Sequence, residues 1–352
     1  MPNMPDMSDM PDMLELGVLD QSVIGPGESA TTALWQTVEL ARRTEKLGYS
    51  RFWVSEHHDS GSLAGSSPEV LLAAIGAHTS RIRIGSGGVL LPHYSPYKVA
   101  ENFRVLEALF PGRVDLGIGR APGGFPLSSL ALRGPAAPVQ DDGMPDKLRE
   151  LGAYLETGQA LPAEHPLHGL IASPRVASAP EIWLLGSSDV SAALASRLGA
   201  RFSFAHFING EGGQRAVAQY AASFRPGMLG TRAQASICVF VVCAETDERA
   251  EREAKAADLR LLYQEKGERH RPYPSVEEAE AYPYTEWERA RTAINRRRMV
   301  VGGPERVRDS LQELADSYRA SELLVVCPIA DFRARVRCYE LLAALFLRRS
   351  FG

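Results

Sequence analysis

The sequence predicts an α/β fold, a (β/α)8 TIM barrel with an insertion after strand seven. Strand-like runs of apolar and β-branched residues alternate with helix-like runs, which is typical of parallel strands joined by crossover helices. Eight strand-like runs occur, and a chain of 352 residues suits one such barrel. The rival architecture, a doubly wound open sheet, predicts a Gly-x-Gly-x-x-Gly turn after the first strand, and Gly25-Pro26-Gly27 does not match it.

The predicted strands are apolar runs bounded by glycine, proline and other turn-forming residues. The seventh is continuous and β-branched, as expected of a parallel strand that is buried on both faces. In chain order the strands are predicted at residues 14–21, 51–56, 81–86, 114–119, 181–186, 201–207, 235–245 and 322–330.

Capping residues and prolines mark the helices between the strands. Thr31 or Thr32 is predicted to cap the helix that follows the first strand, and Gly48 to end it. Pro68 and Pro96 stand where the next two helices begin, because proline is tolerated in a first helical turn. Further helices are predicted at residues 147–156, 189–198 and 334–347.

Some segments do not follow the alternating pattern. Residues 121–140 are rich in Gly, Pro and Ala and are predicted to form a long loop. Residues 246–299 are too long for one crossover and are predicted to form the insertion, with charged helices at 247–265 and 285–298 around a turn rich in Pro and Tyr. Residues 1–13 repeat a Met-Pro/Ser-Asp pattern, so we expect a disordered tail or an over-called start codon. Residues 14–352 are then one barrel domain.

Composition excludes several classes of protein. With 39 basic and 43 acidic residues the net charge is −4, so nucleic-acid binding would need a local basic patch, and none is predicted. No apolar run reaches the roughly 18 residues of a membrane span, and no secretory signal pattern begins the chain. The four cysteines form no Cys-x-x-Cys pair, which favours reduced core thiols in a cytoplasmic protein.

Polar residues and glycines cluster where the predicted strands end. The active site of a TIM barrel lies at the carboxyl ends of its strands, so we expect these residues to meet there. They are Asp20-Gln21, Glu56-His57-His58, Ser86-Gly87-Gly88, Gly119-Arg120, Gly186-Ser187-Ser188 and His206.

His57 and His58 are the candidates for acid–base chemistry. An imidazole titrates near neutrality, and of two adjacent histidines at a strand end at most one is expected to enter the pocket. The alternative is one surface histidine and one core histidine without a catalytic role. The His-x-His spacing of barrel metallohydrolases is absent, so no metal site is predicted.

Ser188 and Ser191 lie where a strand ends and a helix begins. Backbone N–H groups and hydroxyls at a helix start favour a phosphate, although serine is equally common there as an ordinary cap. Arg120 could supply a cation to the same anion, or form a salt bridge instead. The glycines at 85–88 would let a flat ligand approach the backbone closely, unless they only form a flexible loop.

In combination these motifs resemble the bacterial luciferase-like flavin monooxygenases, in particular a branch of single-gene oxygenases that includes enzymes of polyketide biosynthesis. The resemblance runs from about Leu14 to Arg348 and includes a Tyr-Pro-Tyr segment at Tyr282–Tyr284. It rests on SEHHDS, on IRIGSGGVLLPHYSPYKVAENFRVLEALFPGRVDLGIGRAPGG and on WLLGSSDVSAALASRLGARFSFAHF.

The resemblance implies a role for each candidate residue. His57 corresponds to the catalytic base beside the flavin, with His58 next to it. Gly87-Gly88 corresponds to a non-prolyl cis peptide under the flavin ring. The residues implied to bind FMN are Ser86, Gly87, Gly88, Gly119, Arg120, Gly186, Ser187, Ser188 and Ser191, with the phosphate on Arg120, Ser188, Ser191 and the backbone of Ser187. A reactive cysteine of luciferase is replaced by Gly119, and the lid segment differs over residues 264–299.

The implied activity is an FMNH2-dependent, two-component monooxygenation. A separate flavin reductase would supply FMNH2, and O2 would react by way of an oxygen adduct of the flavin to oxidise an aldehyde, a ketone or an aromatic ring in secondary metabolism. The resemblance also implies a homodimer formed through the helices that flank strands two and three. The alternatives are an F420-dependent oxidoreductase of the same superfamily, a flavin-binding protein without turnover and, more remotely, a metal-dependent barrel hydrolase.

Overall fold

Eight parallel strands of the computed structural model close into a barrel, which confirms the predicted fold class. The structure describes residues 14–121, 123–134, 143–155 and 161–347. The strands are β1 (Glu15–Asp20), β2 (Arg51–Val54), β3 (Arg83–Leu90), β4 (Val114–Gly119), β5 (Glu181–Gly186), β6 (Arg201–Ala205), β7 (Ala235–Cys243), β8 (Met299–Gly302) and β9 (Glu322–Val326). Strands β1 to β7 are neighbours in order, and β9 pairs in parallel with both β7 and β1 and so closes the barrel.

Helices cover the outside of the barrel and one of them, α8, lies over its mouth. In chain order they are α1 (Ala30–Leu47), α2 (Pro68–His78), α3 (Pro96–Leu109), α4 (Pro126–Arg133), α5 (Met144–Leu155), α6 (Asp189–Leu198), α7 (Gly213–Ser223), α8 (Asp247–Glu265), α9 (Val276–Ala281), α10 (Glu286–Arg296), α11 (Pro304–Tyr318) and α12 (Phe332–Phe346).

The first helix begins earlier than predicted. Ser29, and not Thr31 or Thr32, is the N-cap of α1, where its hydroxyl accepts from the backbone N–H of Thr32 at 3.1 Å. Gly48 ends α1 in the left-handed region at φ 92°, as the sequence predicts, because glycine adopts this conformation without steric cost. Pro68 and Pro96 occupy the first turns of α2 and α3, also as predicted.

Strand β3 is longer than predicted and runs through the glycines to Leu90. The alternative that the glycines at 85–88 only form a flexible loop is wrong: Gly87 and Gly88 lie inside β3, where the register with β4 shifts between Ser86 and Val89. A run of glycines has the composition of a turn, but here it lies where a neighbouring backbone approaches closely.

Several elements have no counterpart in the prediction, among them helices α7, α9 and α11. Helix α4 lies within the segment 121–140 that the sequence predicts to be a loop. Strand β8 lies at the end of the predicted insertion and pairs with the second half of β7. The predicted tail at 1–13, the loop residues 135–140, and Glu156 and Arg348 lie outside the described residues.

The barrel interior is filled and closed at its amino end. Trp53 and Trp183 meet inside it edge to face with ring centroids 5.4 Å apart. At the amino ends of the strands, Arg51 forms buried ion pairs of 2.7 Å with both Asp115 and Glu322. The barrel is therefore closed at the amino ends of its strands.

All four cysteines are buried and unpaired, as the sequence predicts; they are Cys238, Cys243, Cys327 and Cys338. Within the described part of the chain no helix is long and apolar enough to cross a membrane.

Candidate active site

The carboxyl ends of the strands open into a cavity with two adjoining compartments, which we call the mouth cavity. The first has a volume of about 380 Å³ and lies among the segments that follow β2, β4 and α8. The second has a volume of about 390 Å³ and lies above Phe240, a side chain of the barrel interior. Both compartments are lined by His57, Ile208, Arg260 and Gln264.

Helix α8 forms one wall of the mouth cavity. Its N-cap is Thr246, and the acidic residues of its first turn favour the helix start. Arg260 and Gln264 are one helical turn apart and line both compartments, and the neighbouring Leu261 packs onto the interior side chains of the barrel. The other side of α8 packs against α9 through Leu262.

His57 lies between the two compartments and is held at both backbone and side chain. Its backbone N–H donates to the carbonyl of Gly65 at 2.8 Å, and its Nδ1 is 2.9 Å from the hydroxyl oxygen of Ser55. Burial, together with the positive charge of Arg260 and with His58, lowers the pKa of His57 to about 3. The expectation that this imidazole titrates near neutrality is therefore wrong, and His57 is a neutral hydrogen-bonding group at pH 7.

A buried carboxylate fixes the strand ends beside His57. Glu56 accepts from the Tyr94 hydroxyl at 2.6 Å and from the Leu90 backbone N–H at 3.0 Å, and its carboxylate lies 2.8 Å from Nε2 of His58. Burial and this carboxylate raise the pKa of Tyr94 well above its ordinary value. Both His57 and His58 line the first compartment, so the prediction that at most one of them enters the pocket is wrong.

Other polar residues at strand ends have different surroundings. His206 is buried, with Nδ1 3.0 Å from the Tyr318 hydroxyl, and it does not line the mouth cavity. Asp20 accepts from the Thr37 hydroxyl at 2.6 Å, whereas Gln21 lines the second compartment. Of these three residues only Gln21 is placed to touch a ligand there.

The glycines of β3 bring its backbone against β4. The Gly87–Gly88 peptide bond is cis, as the resemblance implies. A Cβ on Gly88 would lie 2.7 Å from the carbonyl oxygen of Gly117, so no side chain fits there. Ser86 is buried and donates its hydroxyl to that same carbonyl at 2.8 Å, and Gly119 pairs with the end of β3. The close approach of β4 therefore restricts position 88 to glycine, and Gly87 beside it is half-buried.

The start of α6 presents hydroxyls at the end of β5. Ser188 is the exposed N-cap, and its hydroxyl oxygen lies 3.3 Å from that of Ser191. Ser187 follows Gly186 and accepts at its carbonyl from Asn209 at 3.1 Å. The first turn also carries a carboxylate, Asp189, which is paired with Arg215 at 2.6 Å and so partly neutralised.

Arg120 is exposed immediately after β4, the strand next to β5. The exposed hydroxyls and N–H groups at the start of α6 are thus neighbours of a cation, which fits a phosphate. None of the residues from Ser86 to Ser191 that the resemblance assigns to FMN lines either compartment of the mouth cavity.

Arg260 and Tyr94 were not among the residues predicted from the sequence. Arg260 is one of many charged residues in α8, and its periodicity alone does not separate it from the exposed ones. Tyr94 reaches Glu56 from a segment 38 residues away, a contact that no local pattern indicates.

The chain belongs to the luciferase-like monooxygenase family, whose family model matches residues 13–321. A protein of Bacillus subtilis, YwcH, is 49% identical over 95% of this chain and 99% of its own length. The N-acetyl-S-alkylcysteine monooxygenase of Bacillus subtilis is 39% identical, over 94% of this chain and 97% of that one. The structure of apo-MsnO8 superposes with a TM-score of 0.84 at 40% identity, covering 95% and 98% of the two chains. The protein is accordingly an enzyme, an oxidoreductase of the monooxygenase kind.

More distant structures share the fold and differ in cofactor. The oxygenating constituent of 3,6-diketocamphane monooxygenase from Pseudomonas putida, in complex with FMN, has a TM-score of 0.67 at 20% identity. An F420-dependent secondary alcohol dehydrogenase has a TM-score of 0.64 at 13% identity. The fold alone therefore does not choose between FMN and F420.

Proposed function

We propose that this protein is a two-component monooxygenase that uses FMNH2 from a separate flavin reductase. The observation that carries the proposal is the arrangement around the barrel mouth. Arg120 follows β4 and the serines at the start of α6 follow β5, while β3, with its glycines, is the next strand between β4 and the strand β2 that His57 follows at the cavity. This order matches the three parts of a flavin site: phosphate, ring and substrate.

Different residues of the chain would hold different parts of the cofactor. The hydroxyls of Ser188 and Ser191, the backbone N–H of Ser187 and the cation of Arg120 would hold the phosphate. The backbone of Gly87-Gly88 would hold the ring. When bound, the reduced flavin supplies the two electrons with which O2 gives one oxygen atom to the substrate and one to water.

The mouth cavity positions the substrate and excludes water. Phe207, Phe240 and Leu261 give the second compartment an apolar wall, which reduces the access of water to the reacting atoms. His57, neutral at pH 7 and fixed at Nδ1 by Ser55, presents Nε2 to the bound molecule as a hydrogen-bonding group that passes a proton on without retaining it.

The proposed dimer uses the helices that flank β2 and β3. Large apolar side chains are exposed on α1, α2 and α3: Trp35, Val70, Val105 and Leu109. A second copy would bury them, because large exposed apolar groups on neighbouring helices favour association.

Anaerobic titration with photoreduced FMN and with reduced F420 tests the cofactor. We expect reduced FMN to bind more tightly, and Ser188→Ala to weaken its binding by about 10-fold, the contribution of one hydrogen bond to a charged group. Ser29→Ala is the matched control, because Ser29 is also an N-cap serine but follows β1, on the opposite side of the barrel. Tighter binding of F420, or equal effects of the two substitutions, would overturn the proposal.

Turnover is tested with isotopically labelled O2 and a substrate chosen from the compound class in the name of the Bacillus subtilis relative, N-acetyl-S-benzyl-L-cysteine. Labelled product is expected from the wild type. His57→Ala should keep its affinity for reduced FMN and lose product formation. Turnover that is unchanged in His57→Ala would refute the role given to this residue.

A further inference from the structure

The mouth cavity contains a buried arginine that forms no ion pair with any carboxylate of the described residues. Arg260 is 9% exposed. Its contacts in the described part of the chain are a long 3.5 Å hydrogen bond from Nε to the Ser62 hydroxyl and the ring of Tyr273, 5.4 Å from the guanidinium carbon. No Asp or Glu of the described residues forms an ion pair with it.

Two of the other arginines that line the cavity have a carboxylate partner, and the third, Arg298, has neutral acceptors for its two terminal nitrogens while its Nε is buried without a hydrogen bond in the described part of the chain. Arg269 pairs with Asp59 at 3.0 Å, and Arg271 pairs with Glu268 at 2.8 Å. Arg298 donates to the carbonyl of Ile208 at 2.7 Å and to the side chain of Asn295 at 2.8 Å. Arg260 is more deeply buried than these three arginines, of which Arg269 and Arg298 are half-buried and Arg271 is exposed, and of the four it alone lines both compartments.

A buried cation without a partner is costly to fold. Removing a guanidinium from water without supplying an anion costs several kcal/mol by rough estimate, so such a group is expected where a ligand completes it. The burial of Arg260 lowers its pKa, which has the same physical origin. Stability alone therefore does not explain this residue.

We propose that Arg260 binds an anionic group of the substrate, a carboxylate, inside the mouth cavity next to His57. That the bound carboxylate belongs to the substrate rests on the proposed function. That Arg260 binds a carboxylate does not depend on it. The planar fork of a guanidinium matches the two oxygens of a carboxylate. The apolar wall formed by Phe207, Phe240 and Leu261 receives the rest of the molecule, so the substrate class is a small carboxylic acid with an apolar side chain.

The flavin phosphate is a different anion at a different place. The residues that fit the phosphate follow β4 and β5, whereas Arg260 is on α8 and faces His57 after β2. The two groups share no lining residue. Loss of Arg260 is therefore expected to affect the substrate and to spare FMN.

Equilibrium binding measured by calorimetry tests the proposal without requiring turnover. Two acids, N-acetyl-S-benzyl-L-cysteine and 3-phenylpropionate, are each compared with their neutral primary amides, with and without saturating FMN. We expect the wild type to prefer at least one acid over its amide by roughly 10- to 100-fold, the range of a charge-assisted interaction, and Arg260→Gln to abolish the preference. Arg260→Lys should keep part of it, because charge remains while the planar fork is lost.

Arg271→Gln is the matched control, since Arg271 lines the first compartment but already has a carboxylate partner. Its preference for acids should equal that of the wild type. Arg260→Gln should also leave the unfolding midpoint unchanged or raised, because it removes an unpaired buried charge. A variant that fails to fold would contradict that reasoning.

The outcomes separate this inference from the proposed function. The inference is overturned if the wild type binds the acids no better than their amides. It is also overturned if Arg260→Gln keeps the preference for acids. Weaker FMN binding in Arg260→Gln would assign the residue to the cofactor and also overturn it. Acid binding that depends on Arg260, but without any oxygenated product from FMNH2 and O2, would leave the inference standing and remove the proposed function.

Discussion

The depressed pKa of His57 predicts a specific acid sensitivity of the folded protein. The pKa is about 3 in the folded state against 6.5 for an ordinary histidine, which we take for the unfolded chain. Between pH 3 and pH 6.5, His57 is therefore protonated in the unfolded state but not in the folded state. The contribution of His57 to stability is present above pH 6.5 and is lost as the pH falls below it.

The size of the effect follows from the two pKa values. At pH 5 the unfolded chain is stabilised by protonation of His57 by about 2 kcal/mol relative to pH 8, and the folded state gains almost nothing. His57→Gln removes the titrating group. The wild type should accordingly lose about 2 kcal/mol more unfolding free energy than His57→Gln between pH 8 and pH 5.

Urea unfolding at pH 8 and pH 5 measures this difference. The constant effect of the substitution cancels, because each protein is compared with itself at the two pH values. His78→Gln serves as the control, because His78 is exposed on α2 and should leave the wild-type difference unchanged. Equal losses in the wild type and in His57→Gln would refute the assignment of a neutral, half-buried imidazole.

Two further predictions concern the barrel. Arg51→Met should lower the unfolding free energy by about 3 to 5 kcal/mol in urea, because it leaves Glu322 buried without its cation, although Asp115 keeps its ion pair with Arg83; a loss below about 1 kcal/mol would contradict this. Gly88→Ala should push β3 away from Gly117 and lower the free energy of unfolding by about 1 to 3 kcal/mol. It should also weaken the binding of reduced FMN as measured by calorimetry. Unchanged FMN affinity in a folded Gly88→Ala variant would argue against the placement of the ring there.

Local sequence patterns predicted the framework because the barrel repeats one local unit. The strand at Glu181–Gly186 and the helix at Asp247–Glu265 have the predicted boundaries, since each is set by an apolar or charged run with clear turn or cap residues on either side. The N-cap of α1 was missed because Ser29, Thr31 and Thr32 all have side chains that can cap a helix.

Local sequence patterns could not predict how distant segments pair. Strand β8 is four residues long and is recognisable only beside β7. The course of β3 through Gly87 and Gly88 depends on the backbone of β4, which comes more than 20 residues later. In both cases the stabilising contacts are non-local, so local propensity indicates a loop.

In the candidate site, too, some features are indicated by the local sequence and others depend on contacts between distant residues. The sequence indicates His57 and the start of α6, because a strand end followed by polar residues is a local signal. That Arg260 forms no ion pair with a carboxylate of the described residues is a property of the folded molecule. The sequence of α8 contains many charged residues and does not indicate which arginine lacks such a partner. The low pKa of His57 has the same origin, because burial and Arg260 act on it only in the fold.

These two properties are coupled, and the coupling predicts how a substrate changes the site. Arg260 is one of the charges that lower the pKa of His57, so an anion bound to Arg260 opposes that effect and adds a negative charge near the imidazole. Binding of N-acetyl-S-benzyl-L-cysteine should therefore raise the pKa of His57, whereas its neutral amide should raise it less. Titration of the His57 ring by NMR measures both shifts. A pKa that responds equally to the acid and the amide would show that the anion does not lie beside His57. A rise with the acid alone would mean that His57 becomes a stronger base only when its substrate is in place.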